Sequence, residues 1–252
     1  MGKTLVRFGN FIFRWRDTIF TLIFIPAYYL ITVPELAVGG YKAEITSSVF
    51  GFALAFAGQL VRLVTISWGF VKRSGVQKRI HAEGVMKSGL FAHTRNPLYV
   101  GNFLIVTGGI VTLNLLPYYI IFLPLFYLIY YSITLAEEEY LKGKFGREYE
   151  EYLKSVNRYI PGNLSKIGDS FRDLEFTWKR FFKREYSSTV VIFFAILLAD
   201  IVKFRYRHNL PFDSLPSLMM WGVIALLISG LIIVRILART GRLEWSEEAP
   251  KH

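Results

Sequence analysis

Three groups of residues in this chain carry side chains that can do chemistry. The first is the glycine-bounded stretch GLFAHTRNPLYVG, Gly89 to Gly101, where Phe91, Arg95, Asn96 and Tyr99 gather two rings, a cation and an amide in one polar loop. The second is the run Glu137-Glu138-Glu139, and the third is Arg158 in NRYIP, shortly before Pro161. A guanidinium grips a carboxylate or phosphate through paired N–H bonds. A carboxylate accepts from polar hydrogens, or takes a proton from a reacting amine. Rings attract a cationic centre by about 0.5 to 2 kcal/mol, depending on desolvation. His81 and His93 raise a metal site, but there is no cysteine and no suitably spaced carboxylate to complete one. The lack of cysteine also excludes disulfides and thiolate nucleophiles.

These side chains need elements to hold them, and composition says which. With 53% hydrophobic and 17% aromatic residues and a mean hydropathy of +0.36, the 252-residue chain is too apolar for an ordinary soluble domain. Apolar runs cover Thr18 to Val38, Ile45 to Trp68, Leu98 to Leu116 and Tyr118 to Ala136. Each is close to the roughly 20 residues that a helix needs to cross the hydrocarbon core. A fifth run, Thr189 to Val202, is short, and a sixth spans Ser217 to Leu237. The first run lacks a small-residue cleavage site and is a span rather than a signal peptide, with Pro26 and Pro34 as kinks or ends. The residue before a proline avoids the helical region, and proline suits the first helical turn, so the third helix begins at Pro97.

Basic residues set the orientation, because short positively charged loops stay in the cytoplasm. Lys3, Arg7, Arg14 and Arg16 precede the first span; Lys72, Arg73, Lys78, Arg79, Lys87 and Arg95 follow the second, against the single acid Glu83. Six spans with both termini cytoplasmic satisfy this, except that Lys203, Arg205 and Arg207 then sit on the outer side. A re-entrant hairpin at Thr189 to Val202 would remove the conflict. The formal charge of +11 is scattered over loops that flank spans, which points to anionic headgroups and not to nucleic acid.

The expected fold is all-α: a polytopic integral membrane protein of about six transmembrane helices with cytoplasmic amphipathic helices. Residues 1–163 form a four-helix core, 164–188 an interfacial connector and 189–252 a C-terminal hairpin. Beyond the fourth span, Leu141, Phe145, Tyr149, Tyr152 and Val156 recur at helical spacing as one apolar stripe. Gly143 and Gly146 weaken that helix by roughly 1 kcal/mol each, which calls for packing or a kink. From Asp169 to Tyr186, Phe171, Leu174, Trp178, Phe181 and Phe182 alternate with cations as in a helix lying in the interface. Gly51, Ala55 and Gly58 on the second span, with Gly101, Gly108 and Gly109 on the third, read as close helix packing. Arg62 reads as a snorkelling cation, with Gln59 nearby as a side chain that could face a cavity.

The short turn at Asn114 to Tyr118 makes the third and fourth spans antiparallel neighbours. The loop Gly89–Gly101 and the glutamates should therefore meet at the cytoplasmic face. At this point a resemblance becomes specific. GLFAHTRNPLYVG followed by EEEYLKGKFGREYEEYLKSVNRYIP is similar to the core of the integral-membrane methyltransferase superfamily, which includes isoprenylcysteine carboxyl methyltransferases and phospholipid methyltransferases. The family pattern is a glycine, an aromatic two positions later, R-H/N-P-x-Y-x-G, then E-E, L-x-x-x-F-G-x-x-Y-x-x-Y and R-x-x-P. All parts occur in order, and the match covers about residues 81 to 161.

The resemblance implies methyl transfer from S-adenosylmethionine to a lipophilic acceptor at the cytoplasmic face. Carried over by position, Glu83, Val85, Met86 and Phe91 border the cofactor, and Asn96, Pro97, Leu98 and Tyr99 wall its ribose and methionine parts. Glu137 matches the first family glutamate and binds the cofactor's polar groups; Glu138 matches the second. Arg95 and Arg158 are candidates for its carboxylate, with Glu138 and Arg158 as the catalytic pair and Glu138 as the base if the acceptor is an amine. In prenylcysteine enzymes an Arg lies four positions before the first glutamate, and here that position is Ile133. A histidine before the proline is here Asn96. These departures weigh against a prenylcysteine ester product, while phospholipids, isoprenoids and other prenylated substrates stay open as acceptors. Two rivals are an NAD(P)H-dependent membrane reductase of the sterol type and a non-enzymatic transporter or scaffold. The latter would need intramembrane charges or an inverted repeat, neither of which is legible in the sequence.

Overall fold

The computed structural model describes residues 2–68, 75–76, 79–80 and 84–243, so Glu83 and His81 lie outside the described residues. The elements are α1 (Gly2–Leu30), α2 (Tyr41–Trp68), a two-residue antiparallel pair β1 (Gly75–Val76) and β2 (Arg79–Ile80), α3 (Pro97–Leu113) and α4 (Leu123–Phe145). A short π turn, Tyr118–Phe122, leads into α4. Then follow α5 (Arg147–Ser155), α6 (Ile167–Ser170), α7 (Trp178–Arg184), α8 (Tyr186–His208) and α9 (Leu215–Arg239). Among the described residues, four helices are long and apolar enough to cross a membrane: α2, the stretch Tyr118–Phe145, α8 and α9. The apolar part of α1, Thr18–Leu30, and α3 are shorter. The chain is thus a helical integral membrane protein.

The tightest pairing is α2 on α3, and glycine makes it possible. Gly51 opposes Gly108, and Gly58 opposes Gly101, so closely that an added Cβ at any of the four would strike backbone or side-chain atoms of the facing helix. Without Cβ atoms the two backbones approach and gain dispersion contact along their length. Helix α1 packs on α4 through Ile12, Phe13, Phe126, Ile129, Tyr130 and Ile133. Pro26 is carried within α1, and Pro34 opens a single 3₁₀ turn after it. Helix α8 packs on α2 through Phe193, Ile196 and Ala55, and on α9 through Leu197, Ile201 and Ile224.

Three reversals, after α1, α3 and α8, gather at one end of the bundle. Asn114 and Asn209 close α3 and α8 in the left-handed region, which Asn tolerates better than most residues. Asn114 Nδ2 donates to the Val38 carbonyl at 2.8 Å. A buried ionic network ties this end together. Lys203 Nζ lies 2.6 Å from Asp200 Oδ1 and donates to Ser48 Oγ on α2 at 2.6 Å and to the Thr112 carbonyl on α3 at 2.7 Å. Arg207 donates through Nη1 to Glu44 Oε1 at 2.9 Å and through Nε to the Ile31 carbonyl at 2.7 Å.

This network corrects the reading of residues 189–208. The short apolar run is the middle of a continuous 23-residue helix, not a re-entrant hairpin. Lys203 and Arg207 are buried and paired inside the bundle, so they do not count as free loop cations against a six-crossing arrangement. Buried ion pairs are also present where hydropathy alone hid them. Two amphipathic patterns break as well. Gly146, at φ +51°, separates α4 from α5, and the stripe from Asp169 to Tyr186 divides into the end of α6, an irregular stretch over 171–177, α7 and the start of α8. Phe171 and Phe176 in that stretch pack on Trp68 at the end of α2, and that contact outweighs the helical spacing.

Candidate active site

At the other end of the bundle, the last turns of α4 present Glu137 and Glu138, both buried. Two loops close over them. The first runs through a 3₁₀ turn, Gly89–Ala92, to Asn96 at the start of α3. Gly89 sits at φ +59° against Leu174 and Phe171, a place where a side chain would be strained and crowded. The second loop is Val156 to Gly162, after α5. They join like a strand pair: Arg95 N donates to the Asn157 carbonyl at 2.9 Å, and Gly162 N to the His93 carbonyl at 2.9 Å. Thr94 Oγ1 and Asn96 Nδ2 both donate to the Arg158 carbonyl, at 3.2 and 3.1 Å. His93 is buried with both ring nitrogens engaged, one by Gly162 O and one by Ser170 Oγ.

The joined loops aim two guanidiniums at one carboxylate. Arg158 grips Glu138 with Nε on Oε1 at 3.0 Å and Nη2 on Oε2 at 2.7 Å. Arg95 Nη1 adds an ion pair to Oε1 at 3.1 Å. The side chains of Glu138, Arg95 and Arg158 are 10%, 13% and 27% exposed, so water screens this triad only in part. Donating to Glu138 holds the Arg158 guanidinium still further above its ordinary range, against the opposing effect of burial. Arg158 also lies 5.2 Å from the centre of the Tyr131 ring.

Buried phenols support the clamp. Tyr152 donates to the Phe91 carbonyl at 2.7 Å, and Tyr159 to Thr134 Oγ1 at 2.7 Å. Burial pushes the Tyr159 phenol up from 10.0 to about 12. Burial raises the Tyr149 and Tyr152 phenols as well, and the charge of Glu138 raises Tyr149 further. A groove of about 580 Å³ opens beside Glu138, lined by Val6, Arg7, Leu135, Glu139, Lys142 and Leu153.

The residues singled out in the sequence do not all meet. Arg95, Glu138 and Arg158 form the clamp; Asn96 and Phe91 support it through the carbonyl bonds just given, and Glu137 is close enough to act electrostatically on Tyr149. Tyr99 instead stacks edge-on to Tyr130 at 5.1 Å, in the apolar layer between α1 and α4. Pro97 is buried, while Val85 and Met86 are half-buried in the irregular segment before the loop. The clamp also loads Glu138: Oε1 accepts from Arg158 and pairs with Arg95, and Oε2 accepts from Arg158, which occupies three of a carboxylate's roughly four lone-pair sites.

Pattern reading missed the residues that brace the first turn of α3. Arg62 is no snorkelling cation: it donates to Asn102 Oδ1 and the Leu98 carbonyl and pairs with Glu185 at the head of α8. Asn102 in turn donates to the Tyr130 hydroxyl at 2.9 Å. Polar residues near the same end of three apolar segments were the available signal. Searches of protein-family models, of curated proteins and of solved structures found no match to this chain.

Proposed function

We propose that this protein transfers a methyl group from S-adenosylmethionine to a lipophilic acceptor, at the end of the bundle where Arg95 and Arg158 converge on Glu138. The observation that carries the reading is that convergence: the three residues come from the three separated motifs that the methyltransferase resemblance links. Their chemistry suits the cofactor's polar ends. Arg158 spends two of a guanidinium's five N–H groups on Glu138 and keeps an exposed edge for a carboxylate. Arg95 Nε is buried with no hydrogen-bond partner among the described residues, a cost of about 1 to 3 kcal/mol that an incoming acceptor atom would relieve. Glu137 is the carboxylate for hydroxyl or ammonium groups. The groove volume falls within the roughly 300 to 1,000 Å³ of small-molecule sites.

Bound there, S-adenosylmethionine would supply a methyl carbon on a positively charged sulfur, the acceptor heteroatom bonding to that carbon as the carbon–sulfur bond breaks and S-adenosylhomocysteine leaves. The chain's contribution is alignment and exclusion of water. Glu138 positions both guanidiniums, and the two loops hold them over the end of α4. For an amine acceptor the proton leaves to Glu139 on the groove wall or to water; a carboxylate acceptor needs no base. Both termini and the site face the cytoplasm in this reading, with six membrane crossings, a core of residues 1–163, a connector of 164–188 and a hairpin of 189–252. Calorimetry on the purified protein in detergent tests it. S-adenosylmethionine should bind and NADPH should not. Binding of NADPH alone would replace this reading with the reductase.

A further inference from the structure

The loop that carries Arg158 goes on to expose a cluster of large apolar side chains outside the long helices, in the loop itself, a 3₁₀ turn at Leu164–Lys166 and the first residue of α6. Ile160 is 78% exposed, Leu164 57% and Ile167 39%. Loops at a water-facing surface rarely leave three such residues uncovered within eight positions. Their depth is set by the residue just before them. The Tyr159 ring packs edge-on against Phe103 at 5.0 Å, and its hydroxyl reaches Thr134. Phe103 lies six residues into α3, about 9 Å along its axis at 1.5 Å per residue, and Thr134 lies within the Tyr118–Phe145 span. Tyr159 therefore points toward the interior of the bundle's apolar zone, while its neighbour Ile160 points away from the protein.

Within 154–167, around the cluster, every charged residue is a cation, while the acids Asp169, Asp173 and Glu175 follow beyond it. Lys154 and Lys166 are exposed on either side of it, and Lys179, Lys183 and Arg184 follow in and around the short helix α7. Apolar side chains rimmed by cations match the chemistry of a leaflet with anionic headgroups above acyl chains.

We infer that the segment 158–167 is seated in the bilayer leaflet at the clamp end, with Ile160 and Leu164 inserted about 5 to 10 Å into the headgroup–acyl boundary. The lipid surface then fixes the height of the loop whose other face holds Arg158 on Glu138. Such seating depends on the chain's being a membrane protein and not on methyl transfer.

The absence of cysteine makes the test clean. Ile160→Cys, Leu164→Cys and, on exposed α5, Glu151→Cys are each labelled with a nitroxide in the full chain, reconstituted in bilayer discs containing anionic phospholipid. Collision with oxygen, which concentrates in acyl chains, is compared with collision with a neutral nickel chelate, which stays in water. At 160 and 164 the oxygen-to-nickel ratio should exceed that at 151 by several fold. Equal ratios at all three sites would place the loop in water and overturn the inference. Low collision with both reagents at 160 and 164 would show a protein cover, such as a second copy of the chain, and would overturn it too. Because the readout needs no cofactor, failure here is separate from failure of the methyltransferase reading.

Discussion

Replacing Glu138 by Gln changes three contacts at once. The carboxylate accepts at 3.0 and 2.7 Å from Arg158 and pairs at 3.1 Å with Arg95. The amide keeps one acceptor oxygen but turns an N–H₂ donor toward a guanidinium donor, so one prong of the Arg158 fork is lost and two cations stay uncompensated. Hydrogen bonds to charged groups contribute about 1.5 to 3 kcal/mol each, and breaking a fully buried pair costs about 3 to 5 kcal/mol. With the partners 10% to 27% exposed, solvent takes part of that load, leaving about 2 to 4 kcal/mol. At 1.4 kcal/mol per tenfold, the docked state of the 156–162 loop should weaken by about 30- to 700-fold. Hydrogen exchange reads this directly at the Arg95 and Gly162 amides, which bond across the two loops. Their protection should fall by that factor while amides in α2 and α3 keep theirs. Glu137→Gln should leave the loop amides protected. Wild-type exchange at Arg95 and Gly162 in the Glu138→Gln protein would show that the ion pairs do not hold the loops, and the proposed positioning role would fail.

Lys203→Met should destabilise the protein by about 3 to 5 kcal/mol, because it leaves Asp200 buried without its cation; adding Asp200→Asn should recover much of the loss in thermal unfolding. Gly108→Ala should lower the unfolding temperature, by about 1 to 3 kcal/mol of overpacking, since the new methyl would collide with the Gly51 carbonyl. The buried phenols set a pH limit. Their folded values are raised, so the neutral form favours the fold, and Tyr159's contribution is whole below its unfolded value of 10.0 and lost as pH rises through about 12. Phenolate absorbance should show Tyr159 titrating late, together with loss of loop protection. Titration near 10.0 with the fold intact would contradict its burial.

The parts of the fold legible in the sequence were those set by local pattern. Small residues seven apart on two apolar runs foretold the α2–α3 contact. The short turn after α3 foretold that Arg95 would lie near the α4 glutamates, as the 3.1 Å pair to Glu138 bears out. What escaped was set by partners far away in the chain. Hydropathy ended the fifth run at Val202 because Lys203 and Arg207 look like loop residues. Asp200, Ser48 and Glu44, with the Thr112 and Ile31 carbonyls, make those cations tolerable inside a bundle, and all but Asp200 lie far away in the chain. The same limit hid the Arg62–Glu185 pair and the grip of Arg158, from a different loop, on both oxygens of Glu138. The stripe from Asp169 does not form one helix, and Phe171 and Phe176 pack instead on the distant Trp68.

Methyl transfer itself is tested most directly by incubating the purified protein with methyl-labelled S-adenosylmethionine and fractionated membrane lipids, followed by mass analysis of each fraction. The account predicts one labelled lipid class that appears only with active protein and disappears with Glu137→Gln. Absence of label from every fraction, together with no binding of the cofactor, would contradict it.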